Sequence, residues 1–512
     1  MHHELGASST DVAERDNSSL VNLALVCRDW LEPALDGLWK MQGQLLPLLR
    51  TLPVDKWNEG EFELFTIIDI LVAVDWLRFN YYARRMRHLC IRPEDMHHDV
   101  FLILDLCFQG RPLLSHLTSL DWGSHGSTQA ISLSTILPFL QTSIRRLSII
   151  FPISLSSPGA AVHLLSALEQ RTPWLKRLDI RGSRHVAYAA LKAAPSLPNL
   201  DVFLIKDFVL PNTPRHQLAH FKSLRSLSIT LDKDIHFAEQ TPHHFPGFPS
   251  LETVDINTAV PSYATMFILG FLAGLPLREF TLEFTNGFNQ EDVTHLTSAM
   301  TQSFRHDSIA AIKIGCSESA GVSPHTIVLD VNTLRKLFVF RCMEVFHFNA
   351  RMIYRAVDNN FIKDLTIHWC VLRELSLVPA GRTPCSATGV DLDGLLYFTN
   401  CRHLTNLNIL FDGRICNRWP QRPPAKGLSC SSLRHLDVHT SLIDLQALDI
   451  VAGLLSDLFP NLQGDIKFKE PSIAEQTAVG QVALWTSVTI LYNLFVKIRR
   501  QERLALAPLA PS

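Results

Sequence analysis

An α/β solenoid, with one parallel strand and one return helix per turn, is the fold class this sequence predicts, and three observations predict it. A Leu-x-x-Leu-x-Ile pattern, or a close variant, recurs through most of the 512 residues. Within each copy alternate apolar residues, such as Leu178 and Ile180 or Leu227 and Ile229, point to one face, which is the period of a half-buried strand. Between copies lie runs with helical spacing, such as 163–170 and 292–300.

The copies begin at Met86, Leu117, Ile144, Leu175, Leu200, Leu224, Leu251, Leu277, Ile309, Leu334, Leu372, Leu404 and Leu433, most of them 24 to 32 residues apart. That is the leucine-rich-repeat arrangement: a curved parallel sheet with outer helices, in which each unit buries its apolar face only by stacking on its neighbours. Residues 362–367 and 372–377 both fit the strand pattern ten residues apart, and the choice of Leu372 leaves a unit of 38 residues before it. The Asn or Cys that usually follows such strands is mostly absent, with Cys342 a match. A degraded last unit is expected at 462–468, followed by a helical segment over 474–504 that covers the terminal face.

Composition excludes several function classes. With 47 basic and 49 acidic side chains the formal net charge is −2, so no global positive field favours nucleic acid. Ten cysteines without a Cys-x-x-Cys pair, and no secretory signal at the start, predict reduced thiols in the cytosol or nucleus. The most apolar tail segment, 482–496, is 15 residues long and includes Thr486, Ser487, Thr489 and Asn493. It falls short of the roughly 20 apolar residues of a spanning helix, so a buried or capping helix and no membrane are expected.

Taken in order, residues 1–19 are polar and predict a flexible arm, because burial there cannot offset the entropy of ordering. From Leu20, apolar residues at Leu23, Ala24, Val26 and Cys27, then Leu31, Ala34, Leu35, Leu38 and Trp39, recur at helical spacing. Pro33 suits a first turn, so two short helices meeting near Asp29 to Pro33 are predicted, with Cys27 a packed thiol. Residues 44–50 and 61–86 read as a helical bridge, the latter with Phe62, Phe65, Ile68, Ile70, Leu71, Val74 and Leu77 on a broad apolar face. The Arg84, Arg85, Arg87 cluster reads as a solvated basic turn at a helix C-terminus.

These residues carry a resemblance. Leu-x-x-Leu-Ala-Leu-Val-Cys-Arg-x-Trp followed by Pro-Ala-Leu-x-x-Leu-Trp resembles the second half of an F-box, in the variant common among fungal F-box proteins with leucine-rich repeats. Residues 75–91 are similar to the segment that joins F-box to repeats in the same proteins. The resemblance implies docking on the Skp adaptor of an SCF-type cullin-RING ubiquitin ligase, through Leu20, Leu23, Val26, Cys27, Trp30, Pro33, Leu35, Leu38 and Trp39. The family's opening Leu-Pro element and first helix have no match in 1–19, so the chain is expected either to lack that helix or to start upstream of Met1.

The expected organisation is an arm (1–19), a partial F-box-like segment (20–42), a helical linker and N-terminal cap (43–85), a solenoid (86–468) and a capping helix with tail (469–512). Polar loops are expected at 241–249, 382–388 and 412–427. The last combines Arg414, Arg418 and Arg422 with Trp419, a composition suited to a protein partner, although a solvated loop fits it too. No phosphate-cradling glycine loop, nucleophile elbow or zinc helix occurs, so no enzyme, catalytic residue or cofactor is expected. The histidine pairs His97-His98, His216/His220 and His243-His244 each lack a well-spaced third ligand, and no metal is expected. The sequence thus predicts a non-catalytic recognition subunit that binds a Skp-type adaptor with its cullin-RING core through 20–39, and a protein substrate through the repeats. The alternative is a repeat scaffold without adaptor binding.

Overall fold

The computed structural model describes residues 18–59, 64–108, 111–123, 133–151, 158–206, 221–231, 248–316, 327–350, 352–379, 388–414, 429–469 and 480–506. The chain divides into two compact units, Met1–Thr230 with Pro246–Pro249, and Leu231–Phe245 with Ser250–Ser512. Each is organised on a parallel ladder of strands, as the leucine-rich-repeat class requires.

In the first unit the ladder runs through Met41–Gln42, His88–Ile91, Ser119–Trp122, Arg146–Ile150, Arg177–Arg181, Val202–Lys206 and Ser226–Leu231. Register aligns Leu89, Leu120, Leu147, Leu178, Phe203 and Leu227 in one inward row. Each of these is at most 3% exposed. Burying one such side chain contributes about 2 kcal/mol, so the row is what stacking gains over an isolated repeat. Two turns depend on glycine. Gly123 and Gly182 follow strand ends with φ of +138° and +155°, and a Cβ there would lie 2.6 Å from Ile150 Cβ and 2.7 Å from Phe151 Cβ respectively.

The linker differs from its predicted state. Residues 61–86 do not form one helix: Trp57–Glu59 pairs antiparallel with Phe65–Ile67, Trp57 stacks on Phe65 at 5.2 Å, and a helix begins only at Trp76–Ala83. The β-branched run Thr66, Ile67, Ile68, Ile70, Val72 and Val74 explains this, since such side chains lose rotamer freedom in a helix and suit extended chain. Ile68, Ile70, Val72, Val74 and Leu77 are left exposed rather than buried on a helical face.

The second unit's ladder comprises Thr253–Thr258, Glu279–Phe284, Ala311–Cys316, Val345–Asn349, Glu374–Leu377, Asn406–Ile409 and His435–Asp437. Four of its helices start on side-chain caps: Asn289 with Asp292 forms a capping box for Gln290–Ser303, and Asp330, Asp358 and Asp391 cap the next three. One of these caps overturns a predicted strand. After Asp330 the chain is helical over Val331–Arg335 and Lys336–Val339, and the strand lies at Val345–Asn349, where Met343, Phe346 and Phe348 take the apolar positions. Cys342 therefore precedes a strand, exposed, instead of following one. The 38-residue unit before Leu372 disappears with this change. The choice of 372–377 stands, because 362–367 lies within the Asn359–His368 helix.

The expected last unit at 462–468 is reduced to a single bridge between Asp437 and Lys467. Over it lies the 26-residue Gln481–Leu506 helix, where a helical segment is expected over 474–504, of which 474–479 lie outside the described residues. By length and composition its Gln481–Glu502 stretch is sufficient to cross a membrane. One face is nevertheless committed to the last repeats: Trp485, Val488 and Tyr492 are buried, Trp485 Nε1 donates to Ser441 O at 2.8 Å, and Tyr492 Oη donates to Phe459 O at 2.6 Å. Val482, Ile490, Leu494 and Ile498 face outward.

His439 marks this end of the ladder. It is 4% exposed at φ 50°, and burial, reinforced by the Lys469 charge and opposed by Asp437, holds its imidazole below the usual range. A histidine whose folded pKa is depressed favours the neutral form, so stability is fully present above the unfolded pKa and is lost as pH falls toward the folded one. Unfolding of the second unit is expected to become easier from about pH 6.5 downward. His439→Asn, which tolerates positive φ, should flatten that part of the profile in thermal melts; an unchanged slope would remove His439 as its source.

Candidate protein-docking surface

Two helices, 18–26 and Arg28–Lys40, form the N-terminal element. They separate at Cys27, whose extended backbone (φ −158°, ψ 165°) ends the first and caps the second. The junction thus lies before the predicted Asp29 to Pro33, and Pro33 sits inside the second helix. Cys27 is exposed, not packed. The helices meet where Gly37 has no side chain: a Cβ there would stand 3.1 Å from Leu20 Cδ1.

A clamp holds this element to the Trp76–Ala83 helix and the turn after it. Glu32 and Asp36, one helical turn apart, face Tyr81 and Arg85, also one turn apart. Arg85, with its side chain 3% exposed, contacts Glu32 Oε2, lies 2.9 Å from Asp36 Oδ1, donates to Tyr81 O at 2.5 Å and sits 4.2 Å from the Tyr81 ring centroid. Trp39 stacks on Tyr82 at 4.5 Å. The Tyr81 hydroxyl donates to Glu32, and this bond holds the Glu32 carboxyl below its usual range against the opposing effect of burial, with the Arg85 and Arg84 charges adding to it. The basic turn is therefore structural as expected, but Arg85 is buried in it rather than solvated. Arg85→Ala is expected to raise the rate of limited proteolysis within 18–40 about tenfold while the repeats remain resistant, and an unchanged cleavage rate would show that the clamp does not hold the helices.

With that face occupied, the opposite one is left apolar and open. Val21, Leu25, Val26, Trp30 and Leu31 are 46%, 80%, 72%, 51% and 37% exposed. Of the nine positions implied by resemblance, Val26, Cys27, Trp30 and Pro33 lie on the exposed side, whereas Leu20, Leu23, Leu35, Leu38 and Trp39 are half-buried in packing. Val21, Leu25 and Leu31 were not among those nine. The i, i+4 spacing of Val21 and Leu25 within the first helix carries a signal for those two, whereas no spacing marks Leu31.

No family model and no curated protein matches the chain. Among solved structures it is similar to "Crystal structure of Rad7 and Elc1 complex in yeast", at 13% identity and a TM-score of 0.38 over 87% of this chain and 92% of that one. It is also similar to "Crystal structure of TLR13-ssRNA13 complex", again at 13% and 0.38, over 80% of this chain. It spans about half, 54%, of that second chain. Both scores are too low to bear on function, and the fold rests on the chain's own strand registers.

The remaining candidates do not converge. Arg414 folds back on Asp412 with bonds of 3.0 and 2.8 Å, while Arg418, Trp419 and Arg422 lie outside the described residues, as do 241–247, 382–387 and 415–427 of the predicted loops. Next to His97 and His98 stands Asp99, with its carboxylate 3.2 Å from His97 Nδ1 and 3.1 Å from His98 Nε2. The group sits on an exposed first turn, and among the described residues no further histidine, cysteine or carboxylate joins it. His216, His220, His243 and His244 lie outside the described residues. The eight described cysteines are free thiols; burial pushes Cys401 up to about 12, the condition of an inert packed thiol.

Proposed function

We propose that the chain is a non-catalytic substrate-recognition subunit of an SCF-type cullin-RING ubiquitin ligase, acting in the cytosol or nucleus. The observation that carries this reading is the exposed apolar face of the 18–40 helix pair. A pair of helices held by an ionic and aromatic clamp on one side has no folding reason to present Leu25, Val26 and Trp30 to water on the other. The motif similarity of residues 20–39 to an F-box supplies the partner, a Skp-type adaptor. The repeats then hold a protein substrate, and the contribution to catalysis is effective concentration: a substrate fixed to a repeat scaffold stands near the ubiquitin-charged enzyme with no reacting group in this chain.

The test is co-expression with a Skp-type adaptor. A stoichiometric complex is expected on gel filtration. An intact, folded chain that elutes alone would leave the reading of a repeat scaffold without an adaptor.

A further inference from the structure

The first unit carries a belt rich in positive charge along the starts of its strands. The carbonyls of Arg87, Thr118, Arg145, Lys176 and Asp201 each accept bonds of 2.8–3.0 Å from two successive amides of the next repeat. This sets the pairs Arg87-His88, Thr118-Ser119, Arg145-Arg146, Lys176-Arg177, Asp201-Val202 and Arg225-Ser226 side by side, about 4.8 Å apart. Arg146 and Arg177 are direct register partners, an arrangement of like charges that costs sheet stability. Among the described residues, Arg87, Arg145, Arg146, Lys176 and Arg177 make no ion pair with a carboxylate within 4.0 Å.

Arg87 and Arg145 satisfy their donors on nearby carbonyls, which leaves their charge in place, and Arg146, Lys176 and Arg177 are exposed. Trp174, 54% exposed, lies beside them with the Arg145 guanidinium 5.8 Å from its ring centroid. The imidazole of His88 is held low first by burial and then by the Arg146 and Lys40 charges, with Asp121 opposing.

The fold does not require this surplus. At the same positions the second unit carries Glu252-Thr253, Arg278-Glu279, Ala310-Ala311, Glu344-Val345, Arg373-Glu374, Thr405-Asn406 and Arg434-His435, in which the signs are mixed. There Arg373 pairs with Glu344 at 3.1 Å and Glu279 with Lys313 at 2.6 Å. Nor does composition require it, since the whole chain is slightly acidic. In the first unit Asp201 lies within the belt and, two residues further along the strands, Asp121 feels the Arg177 charge and Asp179 stands 3.9 Å from Arg181.

We propose that this belt docks an acidic peptide segment, with carboxylates on Arg146, Lys176 and Arg177 and an apolar side chain against Trp174. The proposal rests on the reading of the repeats as the partner-binding surface, but not on adaptor docking. The basic residues from Arg87 to Arg177 lie on four successive strands, whose three spacings span about 14 Å, the length of about four extended residues. Asp121, Asp179 and Asp201 border the belt and oppose a continuous phosphate backbone, and a single exposed tryptophan is not a stacking platform, which favours a peptide over nucleic acid.

The test is fluorescence polarisation of the full chain, without adaptor, with a labelled peptide of alternating aspartate and glutamate around one phenylalanine. Arg146→Glu with Arg177→Glu is expected to weaken binding about tenfold or more. Arg278→Glu with Lys336→Glu, which makes the same change in net charge in the second unit, should leave binding unchanged. Circular dichroism melts check that both variants fold, and a lysine-for-acid peptide should gain affinity for the first variant. Absence of binding by the wild-type chain, equal losses in the two variants, or tighter binding of an oligothymidylate of equal charge would overturn the proposal. Because no adaptor is present, these outcomes are independent of whether the helix pair docks one.

Discussion

Val26→Asp combined with Trp30→Asp is expected to weaken binding of a Skp-type adaptor by about a hundredfold or more while leaving the melting temperature of the chain nearly unchanged. Both side chains are mostly in water, so a carboxylate at either position costs the folded monomer little. In a complex the same carboxylates would be desolvated against an apolar partner with nothing to pair them, and that penalty falls on binding alone. Leu35→Asp with Trp39→Asp would be a poorer probe. Those side chains pack inward, Trp39 against Tyr82, and charging them would release the helix pair from its clamp. Loss of binding could then reflect unfolding. An exposed-face variant that binds as well as the wild type, measured by titration calorimetry, would place the adaptor elsewhere or nowhere.

Leu178→Ala is expected to destabilise the first unit by about 3 kcal/mol, whereas Leu204→Ala on the neighbouring strand should cost less than about 1 kcal/mol. Leu178 is 1% exposed and stands in the inward row between Leu147 and Phe203. Its truncation leaves a cavity that two strands flank and neither can fill. Leu204 is half-buried on the opposite face, beside Asp179 and Ser228, where loss of a side chain leaves a smaller void that solvent can partly fill. Urea unfolding followed by circular dichroism distinguishes the two, and equal shifts in midpoint would contradict the alternation on which the repeat assignment rests.

Most repeat strands could be placed from the sequence because their apolar pattern is local: Leu175, Leu178 and Ile180 declare a strand without reference to anything distant. The exception shows where that logic stops. Leu334, Leu337 and Val339 fit the strand template, but Asp330 caps a helix there, and the strand that follows uses Met343, Phe346 and Phe348 instead of leucines. An apolar pattern shared by a short helix and a strand is decided by its flanking cap, here Asp330.

The docking surface was half visible for a related reason. Helical spacing in 20–39 identified two helices, but which side faces water depends on the clamp, whose partners Glu32 and Tyr81 are 49 residues apart. The matching i, i+4 pairs Glu32/Asp36 and Tyr81/Arg85 fix the inward side, and the exposed side is their complement. In the linker, helical periodicity predicts a helix over a β-branched run that folds instead as a hairpin and extended chain.

The most direct test of the central claim is titration of the intact chain with a purified Skp-type adaptor, read as stoichiometry and affinity. The account predicts a one-to-one complex with a dissociation constant in the micromolar range or tighter, accompanied by protection of residues 18–40 from limited proteolysis. No complex at adaptor concentrations of about 100 µM, with the helix pair folded and still cleaved at its free rate, would contradict it.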